Sequence, residues 1–311
     1  MQFVSARCFL LATVLGAVAC GGDNGQPAAT TRASRVLLTD GPFPFDRIAR
    51  VDLYVVSLSG SLNTDTSATA GGDFVTLASP HRLINVLALQ NGMTDELGAV
   101  TLPRGAITAV RLVIDTDSSS ITLKDGRVLT GTSNPGIHWQ SSAGRPVLNA
   151  LINEQIVVRD TGAVIVVDYD VGQAFIPPQD IDPTSTDSGF IFSPVLRAAD
   201  ATRSGSITGT VRAHSVTGAP VVDASLRLYL GDPGMPENTW STLATAKTDA
   251  NGAYRFAYVT RSSYWTGTTT ASRSYIVAVD PPATATLART LVRGVQVTAG
   301  AETTIGTTAL P

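Results

Sequence analysis

The alternation of apolar and polar residues with a period of two constrains this chain's fold more than any other feature. In "ARVDLYVVSL", Val51, Leu53 and Val55 alternate with Arg50, Asp52 and Tyr54. In "AITAVRLVID", Val110, Leu112 and Ile114 share a face, and "AVIVVDYDV" puts Ile165, Val167, Tyr169 and Val171 together. Successive side chains of a strand point to opposite faces, so this period means half-buried strands in antiparallel sheets. It returns after Gly205. "SITGTVRA" aligns Ile207, Gly209 and Val211. "ASLRLYLG" turns Leu226, Leu228 and Leu230 inward and Ser225, Arg227 and Tyr229 outward, and "KTDANGAYRFAYV" sets a turn at Asp249–Gly252 before Tyr254, Phe256 and Tyr258. One stretch departs: "HRLINVLALQNG" spaces Leu83, Val86, Leu87 and Gln90 as a helix does, with Asn91-Gly92 as a stop, and predicts a short helix. The expected fold class is all-β, two β-sandwich domains in tandem. The 28 Gly and 17 Pro suit the tight turns that many short strands need.

The first residues read differently. Arg7 and the apolar run from Phe9 to Ala19 form a secretory leader, too short for a membrane span of about 20 apolar residues. Ala17-Val18-Ala19 precedes Cys20 and suits ordinary signal peptidase, and it also resembles a bacterial lipobox, with Ala17 where Leu is usual. Both readings cut before Cys20. A lone thiol at a mature N-terminus needs its own explanation, whereas in a lipobox it receives a diacylglycerol. The polar "GGDNGQPAATTRAS" then serves as a tether. We expect a signal peptide over 1–19 and a lipidated Cys20 with a flexible tether over 20–34. The protein is then exported and anchored to the membrane through that lipid. Gly21, where Asp would retain a lipoprotein at the inner membrane, favours the outer membrane in a cell with two. The only cysteines are Cys8 and Cys20, so the exported part has no internal disulfide.

Within the exported part, "RAADATRSG" is polar and aperiodic and places a domain boundary, with a linker over 200–204. Residues 35–199 resemble the bacterial domain of unknown function 4382, found in exported and lipid-anchored proteins. The resemblance rests on "RVLLTDGP", "ARVDLYVVSL", "LINVLALQNG", "LPRGAITAVRLVI", "VVDYDVGQAF" and "FSPVLRA". It implies no activity. Residues 205–311 resemble a carboxypeptidase regulatory-like, transthyretin-type sandwich, on "GSITGTVRAHSVTGAPVVDASLRLYL" and "TDANGAYRF". That resemblance implies either carbohydrate binding or support of a neighbouring module. The family often has a short turn where this chain has the longer "TRSSYWTGTTTASRSY".

Candidate chemistry is sparse. Asp168 and Asp170 are two apart on a strand, which sets them roughly 7 Å apart on one face, within the range of about 6.5–9.5 Å used by inverting glycosidases. Against this, Arg111 and Arg197 are natural counter-charges, and a solvated or Arg-paired strand face is the preferred reading. "DTDSSSITLKDG" opens like a calcium loop at Asp115, Asp117 and Ser119 but has Ser120 and Gly126 where such a loop needs Gly and Glu. No metal site is expected. The histidines His81, His138 and His214 are far apart and no nucleophile motif accompanies them. With a net charge of -3 and no basic stripe, nucleic acid is excluded as a partner. Trp265 and Tyr264 in the long loop, and Trp240 in another turn-rich segment, are the candidate ligand contacts, since exposed rings stack on sugars. Capping of the core ends is the competing role. The expected function is a non-enzymatic, lipid-anchored envelope protein, without cofactors, that binds a glycan or another envelope protein or plays a structural part. A glycan-directed hydrolase using Asp168 and Asp170 is the alternative.

Overall fold

The computed structural model describes residues 31–41, 47–63, 73–139, 144–176, 189–265 and 269–311. The leader, Cys20 and the tether up to residue 30 lie outside the described residues. The first module comprises β1 (Thr31–Asp40), β2 (Ile48–Asn63), β3 (Asp73–Ala78), β4 (Arg82–Asn85), β5 (Asp95–Pro103), β6 (Gly105–Leu123) and β7 (Val128–Leu129). It continues with β8 (Ile137–His138), β9 (Val147–Ile152), β10 (Ile156–Val158), β11 (Val164–Tyr169), α1 (Val171–Ala174), β12 (Phe175–Ile176), β13 (Phe190–Phe192) and β14 (Leu196–Asp200).

The main path of neighbouring strands is β3-β2-β6-β9-β14-β11-β1-β5. The β1/β11 and β14/β9 pairs are parallel. The ends of the path meet, because a Cβ on Gly98 of β5 would lie 3.5 Å from that of Ala78 on β3. Both layers of this sandwich therefore share one core, with Leu38, Leu53, Leu58, Ile107, Leu112, Ile165, Val167 and Tyr169 in a single buried cluster. Each such aliphatic side chain contributes about 1.5–3 kcal/mol by leaving water. The alternation seen in β2, β6 and β11 is what aims these residues inward.

β1 begins at Thr31, inside the stretch read as tether. Its early residues are polar, yet they pair with β5 from Thr31↔Pro103 onward. Gly162 allows the close approach on the other side: it has φ +82°, and a Cβ there would sit 1.9 Å from the Ala33 carbonyl oxygen. Ser34, 1% exposed, accepts the Ala163 amide at 3.1 Å. Ser34→Ala should therefore destabilise the protein by about 1–3 kcal/mol, the cost of a buried amide left without its acceptor. Chemical denaturation checks this.

The helix expected over residues 81–92 does not form. Arg82–Asn85 is strand β4, paired with β2 through Tyr54↔Leu83, and a 3-10 turn, Val86–Gly92, follows. Pairing with Asp52–Val55 of β2 gives these four residues strand partners for backbone that a helix would have had to satisfy internally. Only Asn91-Gly92 acts as read, with φ of 59° and 85°.

The second module comprises β15 (Ser204–Ala213), β16 (Ser225–Leu230), β17 (Ser241–Lys247), β18 (Ala253–Thr260), β19 (Ser263–Trp265), β20 (Thr270–Ser272), β21 (Tyr275–Asp280), β22 (Thr290–Val295) and β23 (Glu302–Leu310). Sheets β18-β15-β23 and β17-β16-β21-β22 enclose Ile207, Val211, Leu226, Leu228, Phe256, Val277 and Leu310. Between the modules, Asp200 ends β14 and caps a 3-10 turn, Ala201–Arg203, by accepting the Thr202 amide, and Ser204 opens β15. The fold is all-β, two sandwiches in tandem.

Candidate functional site

The carboxylates singled out in the sequence lie at the seam between the two modules. β11 ends at Tyr169, so Asp170 is not a strand residue but the N-cap of α1, where its side chain accepts the Gln173 amide at 3.1 Å. It also accepts the Gln173 side-chain amide at 2.6 Å and, across the seam, the Thr245 hydroxyl at 3.0 Å. Asp168 stays on the strand, opposite Arg197 of β14 in the antiparallel register. The two form an ion pair at 2.5 Å with side chains only 13% and 5% exposed. The same guanidinium donates to the carbonyls of Ala257 and Tyr258 in the second module, at 3.4 and 3.3 Å. Arg197 thus takes the counter-charge role. Arg111 does not: its guanidinium lies 3.7 Å over the Phe74 ring and donates to Asn149.

A third carboxylate, Asp40, joins them. Parallel pairing of β1 with β11 sets Thr39 beside Asp168 and Asp40 beside Tyr169. Asp40 is 4% exposed; one carboxylate oxygen accepts the Val171 amide at 3.0 Å and the other, Oδ2, meets no hydrogen-bond partner. Burial pushes the Asp40 carboxyl well above the ordinary carboxylate range, the charges of Asp168 and Asp170 add to this, and the Val171 amide opposes it. Asp170 is raised by burial, against the Gln173 side-chain hydrogen bond. Tyr169, fully buried with its hydroxyl unpartnered, is raised by burial and by Asp40 and Asp170. In "RVLLTDGP" Asp40 closes an apolar run just before Gly41, which by itself reads as a turn and gives no sign of burial.

The space left between these groups is small. A chamber of about 20 Å³ is bounded by Asp40, Asp168, Arg197, Thr245, Gly92 and Ala257. That is room for about one water molecule, not for a sugar ring. The modules close tightly because Gly92 has no side chain: a Cβ there would lie 2.9 Å from that of Ala257. Beside the chamber an open groove of about 290 Å³ is lined by Ser204, Ser206, Tyr258, Arg255 and Glu302, the last two ion-paired at 2.5 Å.

The aromatic candidates separate. Trp240 is buried, 9% exposed, with its indole N–H donated to the Asp232 carbonyl at 2.8 Å. With Ile276 and Ala278 it covers Tyr229, so Tyr229 points into a small second core rather than outward, and Trp240 offers no free ring face. Ser225 and Arg227 on the same face stay exposed, as expected, and only the Tyr229 end is covered, by a ring brought in from the loop before β17. Tyr264 is half-buried on β19, which pairs with β20 in a hairpin within the long loop, and Arg273 lies 4.0 Å over its ring. The Trp265 side chain lies outside the described residues. Of the calcium-like segment, Asp115 is bound by Arg145 at 3.0 Å and by the Ser118 amide, and Ser119 donates to the Asp115 carbonyl. Among the described residues no cluster of three or more potential ligands could hold a metal, and no helix is long and apolar enough to cross a membrane.

No curated protein matches the chain. Among solved structures it is similar to a 9R-lipoxygenase from Cyanothece (19% identity over 36% of this chain and 17% of that one, TM-score 0.23). It is similar to the Bacillus anthracis TIE protein (10% identity, 93% and 41%, TM-score 0.23). It is also similar to the major pilin SpaA of Corynebacterium diphtheriae (9% identity, 90% and 99%, TM-score 0.28). The chain spans well under half the length of the first two, and at these scores the likenesses carry no weight in assigning a role. The model of the family described as Domain of unknown function (DUF4382) matches residues 33–194, more than half of the chain, which takes in β1, β11 and α1 but ends before β14 and Arg197: the protein belongs to this family.

Proposed function

We propose that the protein is a non-catalytic, lipid-anchored envelope protein in which the first module carries a docked carboxypeptidase regulatory-like sandwich, acting as a binding or structural module. The observation behind this reading is the use made of Asp168 and Asp170. A hydrolytic pair needs one carboxyl free to give a proton and the other free to activate water, on either side of a bound sugar. Here Asp168 is held by Arg197 and Asp170 by Gln173 and Thr245, at a seam that admits about one water. The export leader, the Cys20 motif and the polar stretch after it support anchoring in the envelope, at the outer membrane where there are two. A glycan or another envelope protein is the partner class. The open groove bearing Arg255 and Glu302 has a volume near the lower bound of about 300 Å³ for ligand pockets, and Tyr264 lies on the hairpin of the same module.

The experiment uses the full chain expressed with its own leader. Intact mass of the membrane-extracted protein should show an acylated Cys20. A glycan array and a panel of glycosidase substrates, read for wild type and for Glu302→Ala and Tyr264→Ala, should give no turnover, and any glycan binding should weaken in a variant. Turnover lost on Asp168→Asn, or an unmodified cysteine at the mature N-terminus, would overturn the reading.

A further inference from the structure

We propose that the seam between the two modules is a proton-operated latch, closed while a proton is held by Asp40 or Asp170 beside the Asp168–Arg197 pair and loosened when that proton leaves. The balance of charge is the starting point. β1 brings Asp40, β11 brings Asp168 and the neutral Tyr169, and Asp170 caps α1. β14 contributes Arg197, among the described residues the only cation paired with the cluster. From the second module β17 contributes the neutral Thr245, and Arg255 of β18 borders the chamber but is engaged by Glu302 at 2.5 Å. The 3-10 turn over the chamber presents Asn91 and Gly92, neither charged. With every carboxyl ionised the cluster holds three negative charges against one positive, out of water. A buried excess charge of that kind is resolved by taking up a proton.

The geometry says where the proton goes. Asp40 Oδ1 is occupied by the Val171 amide, whereas Oδ2 is buried and lacks a partner. A proton on Oδ2 removes one charge from the buried cluster and leaves the Val171 bond to Oδ1 in place. Deprotonation restores the repulsion, and the cheapest relief is to admit water at the seam. The ties that would give way there are Thr245 on Asp170 and Arg197 on the carbonyls of Ala257 and Tyr258. A separate set holds elsewhere: Glu154 pairs with Arg203 and Arg261, and Arg273 donates to the Asn153 carbonyl. The loosened state is therefore a hinged pair, still joined.

The sign follows from the direction of the shifts. Asp40 and Asp170 are raised above the ordinary value of 3.8 in the closed seam, chiefly by burial. The closed form then binds more protons than the open one. Its advantage is complete below the ordinary value and is lost as pH rises through the raised values.

Hydrogen exchange of the full chain, followed from roughly pH 4 to pH 9 and corrected for intrinsic rates, reads this out at the Val171 and Gln173 amides. Their protection should fall at least about tenfold as pH rises, tenfold for each unit of upward shift. Asp40→Asn keeps an acceptor for Val171 and supplies a permanent N–H at the second position, so its protection should vary less than about twofold. Asp170→Asn, a second variant should the first not fold, should flatten part of the change. Thr245→Val should lower protection at every pH while leaving the transition in place. A wild-type seam indifferent to pH, or an Asp40→Asn protein that titrates as wild type does, overturns the proposal. So does alkaline loosening that calcium reverses and a chelator restores, since the cluster would then be a cation site.

Discussion

Arg197→Ala should destabilise the protein by about 3–5 kcal/mol, the range for a buried ion pair stripped of one partner. The loss comes chiefly from what remains. Asp168 would be left with a side chain only 13% exposed and, among the described residues, no other cation paired with it. The Ala257 and Tyr258 carbonyls would lose donors at the same moment, so the seam should loosen along with the strand pair β11–β14. Chemical denaturation gives the size of the effect. The double variant Arg197→Met with Asp168→Leu should recover most of the loss, because removing both charges leaves no uncompensated ion. A single variant costing under about 1 kcal/mol would mean that the pair is as weak as one on the surface.

Phe175→Ala should cost a similar amount, about 3–5 kcal/mol, by the different route of an unfilled cavity. Phe175 is 1% exposed and packs against Trp139, Phe190 and Phe192 with ring centroids 6.1, 6.4 and 5.3 Å away. These rings belong to or flank a small sheet, β12-β13-β8, that closes one end of the first module's core. Its loss should lower the melting temperature by roughly 10 °C. Phe175 directly follows α1, whose cap is Asp170, so exchange at the Gln173 amide should rise as well. If the melting temperature moves by only a degree or two, the cluster packs loosely and does not brace α1.

Both effects bear on how far this protein could be read from its residues. The strands of β2, β6, β11, β15 and β16 were legible because their pattern is local: alternate residues of one segment must face one way. The counter-charge at Asp168 was half legible, since Arg197 and Arg111 were equally good candidates until the register chose between them. The helix at residues 81–92 misled because Leu83, Val86 and Leu87 satisfy a helical spacing, while the free edge of β2 offered their backbone another set of partners. Trp240 and Tyr229 misled because a strand's outer face is taken as wet unless something distant covers it.

What the residues determined by themselves is therefore whatever depends on neighbours in the chain: an all-β chain in two sandwiches, a turn at Asn91-Gly92, and a family membership carried by short strand segments. What only the tertiary structure decided depends on residues far apart. Asp40 borders the same chamber as Asp168 because β1 runs parallel to β11 and ends beside it, and Asp170 meets Thr245 because a second module packs over the first. A carboxylate on a lone strand is solvated and ordinary. The same group between two sheets has its hydration replaced by whichever donors the register and the docking provide, and no local pattern encodes that exchange.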